Sequence, residues 1–371
     1  MADRQGSVSV RPESRSGEEL GVYVHVPFCT RRCDYCAFAT WTDRHHLMAA
    51  YAAACATEVH RAGLPPATSV FFGGGTPSLM PAGLLASVLD SLELAPGAEV
   101  TVECNPDDVT GVGLARYREA GVTRISVGVQ SMQPEVLARL GRHHDPGAVV
   151  QAVEAVGDAG FGGSFSVDLI FGAAGESVGG WEQTLTAVLA LEPTPTHVSA
   201  YALTVEAGTP LAAEPARHPD GDDQADKYVL ADRVLGSAGL SWYEISSWAK
   251  PGSECRHNQL YWTQGSYRGI GCAAHSHGPM AGGRWRRWWN LRTPERYLRA
   301  IDQGGSVTAG QEVLGEQEHR LEGLQLALRT PQGVDVSCLA PDPDLDGLVE
   351  VSGGRAVLTL RGRLLANEVA L

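Results

Sequence analysis

The sequence predicts an α/β protein in which about the first 240 residues form a partial barrel of six strand–helix units, followed by a small C-terminal α+β region. Two observations predict this fold. Short runs of β-branched and aromatic residues alternate with stretches in which apolar residues recur at helical spacing. Three predicted helix ends carry an Ala-Gly step shortly before the next strand, as expected for a repeated unit. Strands that alternate with helices pair in parallel, and a barrel or part of one is the simplest closure for six such units.

Each unit has a place on the chain. The predicted strands are residues 22–26, 69–72, 99–104, 124–129, 164–170 and 197–203. The predicted helices are residues 43–62, 81–92, 114–120, 134–140, 146–159 and 181–191. The Ala-Gly steps are Ala120-Gly121, Ala159-Gly160 and Ala238-Gly239. Glycine suits the left-handed conformation that commonly ends a helix, so each step predicts a helix end.

The pattern changes after about residue 240. Residues 241–248 predict one further strand, and residues 250–300 are rich in Trp, Tyr, Gly, His and Arg without a clear period. The chain after residue 316 predicts a helix, a hairpin that turns at Gly353-Gly354 and a final helix. We therefore predict four regions: a disordered tail (1–20), the part-barrel (21–240), a Trp/His/Arg-rich extension (241–310) and a winged-helix-like module (311–371).

Composition limits the classes of protein that the chain can belong to. The 371 residues carry 29 Lys and Arg against 43 Asp and Glu, a net charge of −14, which argues against nucleic acid as the main partner. No apolar run approaches the ~20 residues of a membrane span. The first twenty residues are polar and lack the apolar centre of a signal peptide, so we expect a cytoplasmic protein. In that compartment eight cysteines are not expected to form disulfides.

Three of the cysteines lie close together in the sequence, directly after the first predicted strand. Cys29, Cys33 and Cys36 have the spacing C-x3-C-x2-C. Three thiolates on one short loop can hold three irons of a [4Fe–4S] cube and leave the fourth iron open to another ligand. Zinc prefers four ligands, and His25 on the strand is poorly placed to be the fourth. Buried free thiols are the alternative to a cluster.

This triplet resembles the signature of the radical S-adenosylmethionine superfamily. The resemblance implies a part-barrel fold in which the open iron chelates the amine and carboxylate of S-adenosylmethionine. The run Phe72-Gly-Gly-Gly75-Thr76-Pro-Ser78 follows the second strand, where the family has a Gly-rich turn that binds the amine. Glycine allows the backbone to approach a ligand closely. Considered alone, the run predicts no more than a tight turn.

Further motifs resemble a narrower group, which contains oxygen-independent coproporphyrinogen III dehydrogenase and related heme chaperones. They are the stretches YVHVPFC from Tyr23, TVECNP from Thr101, GVQS from Gly128, GRHH from Gly141 and DLI from Asp168. In that group the matching residues contact S-adenosylmethionine. The resemblance therefore assigns this role to Tyr23, Gly74, Gly75, Thr76, Glu103, Gln130, Arg142 and Asp168.

Two features distinguish the chaperone from the dehydrogenase. The dehydrogenase has one more cysteine at the position of Phe38, and in that enzyme the cysteine is associated with a second cofactor molecule. The stretch His257-Asn-Gln-Leu-Tyr261-Trp262 resembles one linked to heme binding in the chaperones. His257 is therefore a candidate axial ligand of heme iron, with Tyr261 and Trp262 able to stack on the porphyrin. A packed, hydrogen-bonded histidine is the alternative.

The resemblance thus implies a heme chaperone with three cofactors: a [4Fe–4S] cluster, S-adenosylmethionine and heme. The expected partners are heme, an apo-hemoprotein acceptor and an electron donor for the cluster. Oligomeric state, including a homodimer, is left open. Arg31 and Arg32 suit either the donor or solvent, and the cationic aromatic run 284–289 suits heme propionates, an acidic partner or solvent. The alternative function is radical oxidative decarboxylation of porphyrinogen propionates, and a radical enzyme with an unrelated substrate is a third. No catalytic residue is assigned, and enzyme activity is left open.

Overall fold

A twelve-stranded mixed sheet forms the body of the protein in the computed structural model, which describes residues 19–339 and 343–370. The predicted disordered tail falls outside the described residues except for its last two positions. The strands of the N-terminal part are β1 (Leu20–Val26), β2 (Ala67–Gly74), β3 (Leu94–Cys104), β4 (Arg124–Gln130), β5 (Phe165–Phe171) and β6 (His197–Ala202). The helices of this part are α1 (Met48–Ala62), α2 (Ala82–Leu89), α3 (Gly111–Glu119), α4 (Pro134–Arg139), α5 (Pro146–Val156), α6 (Val178–Leu189) and α7 (Gly221–Ser237).

Strands β1 to β6 are adjacent in chain order and every pair is parallel, which confirms the six predicted units. The barrel is not closed, because β1 and β6 each pair with a strand from later in the chain. Gly121 and Gly239 have φ of +95° and +82°, so both end their helices in the predicted left-handed conformation. Gly160, with φ of +81°, lies in a wider turn after α5.

The two faces of these six strands differ in chemistry, because side chains along a strand alternate between the faces. The outer face is apolar and fully buried, as at Val22, Val70 and Val100. Its side chains belong to one hydrophobic core, which also contains residues of α1, α2, α5 and α6. The inner face carries polar side chains around a cavity, and Ser126 and Ser166 are examples. A polar interior in a barrel of this kind leaves room for ligands where a packed barrel has branched apolar residues.

The region after β6 extends the sheet at both edges. The predicted strand 241–248 is a hairpin of two strands, β7 (Ser241–Glu244) and β8 (Ser247–Ala249), and β8 pairs antiparallel with β6. The other edge is built by α8 (Arg256–Trp262), β9 (Ser266–Ile270), β10 (His275–Pro279), β11 (Trp285–Asn290), α9 (Pro294–Asp302) and β12 (Thr308–Leu314). Strand β9 is parallel to β1, and β10 to β12 continue antiparallel.

The C-terminal part has a small sheet of its own. Its elements are α10 (Glu316–Ala327), β13 (Val334–Asp335), β14 (Val349–Ser352), β15 (Arg355–Leu358), α11 (Leu360–Leu364) and α12 (Ala366–Val369). Strand β15 lies between β13 and β14, and the β14–β15 hairpin turns at Gly353-Gly354, both with positive φ, as predicted. The four region boundaries and the winged-helix likeness stay predictions. No helix in the described part of the chain is both long and apolar enough to cross a lipid bilayer.

Candidate functional site

A cavity of about 530 Å³ lies within the curve of β1 to β6. Its mouth is formed by the loops at the carboxyl ends of these strands, where part-barrel enzymes carry their chemistry. Its floor lies at the opposite end, near the first residues of β4 and β6. The residues that the sequence assigned to the cluster, to S-adenosylmethionine or to axial ligation of heme all line this one cavity: Tyr23, Cys29, Cys33, Cys36, Gly74, Gly75, Thr76, Glu103, Gln130, Arg142, Asp168 and His257.

The three clustered cysteines lie at the mouth, on the loop after β1. Cys29 is buried, while Cys33 and Cys36 are half-buried, and all three are free thiols. The loop is held by its backbone, because the Cys29 N–H donates to the Trp41 carbonyl (3.1 Å) and the Cys36 N–H donates to the Cys33 carbonyl (3.2 Å). This arrangement presents three soft sulfur donors at the mouth of the cavity.

The donor set suits a cluster, in which each cysteine ligates a different iron. In residues 19–339 and 343–370 no three His, Cys, Asp or Glu side chains surround a single point as one metal ion requires. A cluster does not need its ligands to converge in that way. It does need a site that leaves space for the fourth iron, and the cavity beside these cysteines supplies that space.

The Gly-rich turn after β2 is packed against the cysteine loop. The N–H of Gly75 donates to Val26 O (2.7 Å) and the N–H of Thr76 donates to Phe28 O (2.8 Å). A Cβ at Gly75 would lie 2.6 Å from Phe28 O and 3.0 Å from the Cys29 sulfur. The approach to Phe28 O is too close for any Cβ unless the backbone moves, so glycine here is required by the closeness of the two loops.

Arg142 connects the cysteine loop to β3 and β4. Its Nη1 donates to Cys33 Sγ (3.5 Å), and its Nη2 donates to Asn105 Oδ1 (2.7 Å) and to Gly128 O (3.1 Å). Asn105 in turn donates from Nδ2 to Thr76 Oγ1 (3.2 Å). The guanidinium therefore fixes the cysteine loop and the Gly-rich turn relative to the ends of β3 and β4. Asn105 was not among the predicted site residues, although it stands in the TVECNP motif.

Gln130 ends β4 in an unusual conformation. Its φ of +63° is left-handed, which costs a non-glycine residue about 1 kcal/mol or more. The conformation brings its Nε2 within 2.9 Å of the point where Gly128 would carry a Cβ. The side chain thus lies against a bare stretch of backbone at the mouth of the cavity. Strain at a cavity-lining position is the kind of feature that ligand sites carry.

Two carboxylates lie deeper in the cavity. Glu103 Oε2 accepts from the Gly74 N–H (3.2 Å), and Asp168 Oδ2 accepts from the Ser126 hydroxyl (2.7 Å). Burial and the charge of Asp168 raise the pKa of Glu103 to about 8, although the hydrogen bond from Gly74 acts in the opposite direction. Burial also raises the pKa of Asp168. Without a ligand, Glu103 is therefore largely protonated at neutral pH, and a bound cation favours its ionised form.

His257 lies near the floor, and both of its ring nitrogens have partners. Nδ1 lies 2.9 Å from Ser69 Oγ, and Nε2 lies 3.0 Å from Tyr261 Oη. Burial lowers the pKa of this imidazole to about 3, so the ring is neutral. These contacts correspond to the packed, hydrogen-bonded alternative, and iron ligation requires one of the two to open. Tyr261 lines the cavity, whereas Trp262 is not part of its lining.

The remaining surface candidates have local partners. Arg31 Nη1 lies 3.1 Å from His143 Nε2, and Arg32 donates to the Cys36 carbonyl (3.3 Å), while Phe38 is 65% exposed at the rim of the cavity. Residues 285–289 of the cationic aromatic run lie on β11, and no residue of the run lines the cavity. Its Arg287 forms salt bridges with Glu312 (2.8 Å) and Glu322 (3.1 Å).

Sequence reasoning also missed residues on the cavity floor. Arg124 and His197 begin β4 and β6, and both were treated only as strand residues. Both are buried and line the cavity. The signal that could have identified them is a charged or imidazole side chain at the start of an otherwise apolar buried strand, since such groups are rarely buried without a partner.

Comparison with known proteins agrees with this geometry. The model of the radical SAM superfamily matches residues 23–188. A protein described as heme chaperone HemW from Mycobacterium tuberculosis H37Rv is 40% identical over 95% of this chain and 94% of its own length. HemW from Escherichia coli K12 is 36% identical over 76% of each chain. The solved structure of coproporphyrinogen III oxidase (HemN) from Escherichia coli has a TM-score of 0.80 at 23% identity, covering 95% of this chain and 89% of that one, and at this identity it shows the fold. On the strength of the HemW relatives, this chain belongs to the heme chaperone HemW family of radical SAM proteins.

Proposed function

We propose that this protein is a heme chaperone that binds heme, a [4Fe–4S] cluster and S-adenosylmethionine, and that delivers heme to an apo-hemoprotein. The observation that carries the proposal is the single cavity that has the three cysteines at its mouth and His257 at its floor. The descriptions of the family relatives support the heme-delivery role. We expect it to act in the cytoplasm.

Cys29, Cys33 and Cys36 are the proposed cluster ligands. When bound, a reduced cluster with an open iron supplies one-electron chemistry toward the sulfonium of S-adenosylmethionine. The chain's own part is to hold the ligands and to exclude water from them. Arg142 donates to one cluster sulfur, and hydrogen bonds of this kind tune the potential of an iron–sulfur centre. The exposed pair Arg31 and Arg32 suits an acidic electron donor that docks beside the loop.

S-adenosylmethionine carries an ammonium and ribose hydroxyls that donate hydrogen bonds, and the cavity offers acceptors for both. Glu103 and Asp168 supply buried carboxylates, and ionised Glu103 is favoured by a cation. The Gly-rich turn supplies backbone groups close to the cysteine loop. The proposed contacts of this ligand are those predicted from the sequence: Tyr23, Gly74, Gly75, Thr76, Glu103, Gln130, Arg142 and Asp168.

Heme ligation by His257 is part of the proposal, and it requires the loss of one hydrogen bond of the imidazole. One ring nitrogen must leave Ser69 or Tyr261 before it can coordinate iron. Tyr261 is the more readily displaced partner, because it lies one helical turn away on the same short helix and lines the cavity. The ring is already neutral, as an iron ligand must be.

One experiment separates the chaperone from the decarboxylase. The cluster is reconstituted anaerobically, and the holoprotein receives heme in one sample and coproporphyrinogen III with a reductant and S-adenosylmethionine in another. Stable heme binding, transfer to an apo-hemoprotein and no change in the porphyrinogen are expected. Formation of protoporphyrinogen would overturn the chaperone proposal. The exposed Phe38, in place of a further cysteine, supports the expected result.

A further inference from the structure

The floor of the cavity contains buried polar side chains, and three of them, Thr101, Arg124 and His197, have an atom without a hydrogen-bond partner. Thr101 and Arg124 are directly paired across β3 and β4, and Ser166 and His197 are paired across β5 and β6. All four line the cavity and are at most 3% exposed. Buried polar groups are nearly always hydrogen-bonded, so a cluster of unpartnered atoms among these residues needs an explanation.

Arg124 is the most costly of these side chains to leave without a partner, because it is charged. Its Nη1 donates to the Ser253 carbonyl (2.9 Å), but its Nη2 is buried without a hydrogen-bond partner. It forms no salt bridge with any Asp or Glu in the described part of the chain. A guanidinium cannot lose its charge, and a buried charge without a paired counter-ion is strongly unfavourable. Asp168 feels this charge, which acts to lower its pKa against the larger effect of burial, but Asp168 accepts a hydrogen bond from Ser126 and forms no salt bridge with Arg124. The fold therefore maintains a cation at the floor that an anion would stabilise.

Two neutral groups next to Arg124 are also unsatisfied. Thr101 Oγ1 has no partner, and neither has Nδ1 of His197, whose Nε2 lies 2.7 Å from the Tyr243 hydroxyl. Burial and the charge of Arg124 hold the pKa of His197 well below its ordinary value, so this ring is neutral. When the Tyr243 hydroxyl donates to Nε2, Nδ1 carries the ring proton and is a free donor.

One cation and two neutral donors together fit an anionic group that accepts several hydrogen bonds. A carboxylate matches the planar fork of a guanidinium, which binds it through two parallel N–H donors. We propose that the floor of the cavity is a carboxylate-binding subsite, in which Arg124 binds the carboxylate of a ligand and Thr101 and His197 donate the accompanying hydrogen bonds.

This subsite is separate from the cluster at the mouth. Arg124 precedes Gly128 by four residues on β4, a distance of about 13 Å along an extended strand, and Gly128 is where Arg142 binds the backbone. The two arginines therefore serve opposite ends of the cavity. The identity of the ligand rests on the proposed function: a heme propionate is the carboxylate that would reach the floor beside His257.

The subsite can be tested without heme. The probe is sodium propionate, compared with sodium chloride at equal ionic strength and with the neutral isostere propionamide, on protein with a reconstituted cluster and no S-adenosylmethionine. We expect propionate to raise the Tm of the wild type and of Arg116→Met, in which an exposed arginine of α3 is removed. Propionate should not raise the Tm of Arg124→Met, and propionamide should have no effect on any of them.

Two outcomes would overturn the proposal of a carboxylate-binding subsite. If propionate raises the Tm of Arg124→Met as much as that of the wild type, or if propionamide acts as well as propionate, the floor holds only ordered water and the subsite does not exist. Arg124→Lys is the second variant in case Arg124→Met does not fold. It keeps the charge but loses the planar fork, so its propionate affinity should fall about tenfold.

Heme and its dimethyl ester then test the ligand assignment. We expect the ester to bind the wild type at least tenfold more weakly than heme, and we expect this difference to shrink in Arg124→Lys. Equal binding of heme and ester would overturn the propionate assignment while leaving the chaperone function intact. Absence of heme binding in every variant would contradict the chaperone function, and the propionate experiment would still decide whether the subsite exists.

Discussion

The Nη1 atom of Arg142 lies 3.5 Å from the sulfur of Cys33, and the same guanidinium binds Asn105 and the backbone of β4. A single side chain thus links a proposed cluster ligand to the strand ends that form the rest of the site. Because it carries a fixed positive charge, it stabilises the additional negative charge that a cluster gains on reduction. This relationship leads to the first prediction.

Arg142→Met should lower the reduction potential of the reconstituted cluster. Loss of one donor and one positive charge next to a cluster sulfur should shift it by about 60 mV, a tenfold change in equilibrium constant for one electron. A redox titration followed by electron paramagnetic resonance measures the shift. Exposed Arg116→Met is the control and should leave the potential unchanged. An unchanged potential in Arg142→Met at full iron content would contradict the assigned contact.

The cluster assignment predicts a sharp division among the eight cysteines. Changing Cys29, Cys33 or Cys36 to Ser should abolish the visible absorption and lower the iron content, because each thiolate holds its own iron. Cys338→Ser is the matched control, since this thiol is also half-buried but lies in the C-terminal part. Metal analysis after anaerobic reconstitution gives the answer, and normal iron content in any of the three variants would remove the basis of the proposed function.

Gly75→Ala should disrupt the contact between the Gly-rich turn and the cysteine loop. The new Cβ would lie 2.6 Å from Phe28 O and 2.8 Å from Val26 O, and overpacking of this kind typically costs about 1–3 kcal/mol. Denaturant unfolding should show that loss, and cluster content should fall with it. Gly83→Ala is the control, because nothing lies within 4 Å of its added Cβ. An unaffected Gly75→Ala would mean that the two loops can separate at no cost.

Glu103 predicts a pH dependence of stability in the ligand-free protein. Its pKa in the folded protein is about 8, above the ordinary value that the unfolded chain retains. Between these two values the unfolded state binds fewer protons than the folded state, so the free energy of unfolding falls as pH rises through this window. Glu103→Gln cannot ionise and should exceed the wild type by a few kcal/mol at pH 8 to 9, with the advantage gone below pH 4.

Urea unfolding of both proteins at pH 4, 6 and 9 measures this difference. Glu119→Gln, which alters an exposed carboxylate at the end of α3, is the control and should follow the wild type at every pH. Parallel stability curves for Glu103→Gln and the wild type would mean that the buried carboxyl is not protonated in the folded protein.

The repeating part of the fold was predictable from the sequence, whereas strands β9 to β12 of the non-repeating part were missed. Strands β1 to β6 are buried on both faces and read as short continuous β-branched runs, so their number and order follow from the sequence. Strands β9 and β11 carry Tyr, Arg and Trp at partly exposed positions, which obscures the two-residue period. The pairing of β9 with β1 is set by contacts far apart in sequence, which no local pattern reports.

The site residues likewise divide into those that the sequence predicted and those that it did not. Short motifs identified the mouth, because its residues lie close together in sequence on loops after strands. Arg124 and His197 could not be recognised in the same way, since their importance depends on unpartnered atoms that only the assembled interior exposes. Asn105 is intermediate: it stands in a motif, but its role appears only through its contacts with Arg142 and Thr76.

The last prediction concerns Tyr261, whose hydroxyl lies 3.0 Å from Nε2 of His257. If that nitrogen is the iron ligand, Tyr261→Phe removes its competitor and should tighten heme binding several-fold, at a loss of about 1 kcal/mol of stability from the missing hydrogen bond. His257→Ala should weaken heme binding and leave the absorption of the iron–sulfur cluster intact. Heme titration followed by visible spectroscopy compares the variants, with Tyr267→Phe as a control hydroxyl on the neighbouring strand. Weaker heme binding in Tyr261→Phe together with unchanged binding in His257→Ala would mean that the imidazole only supports the helix, and that heme is ligated elsewhere.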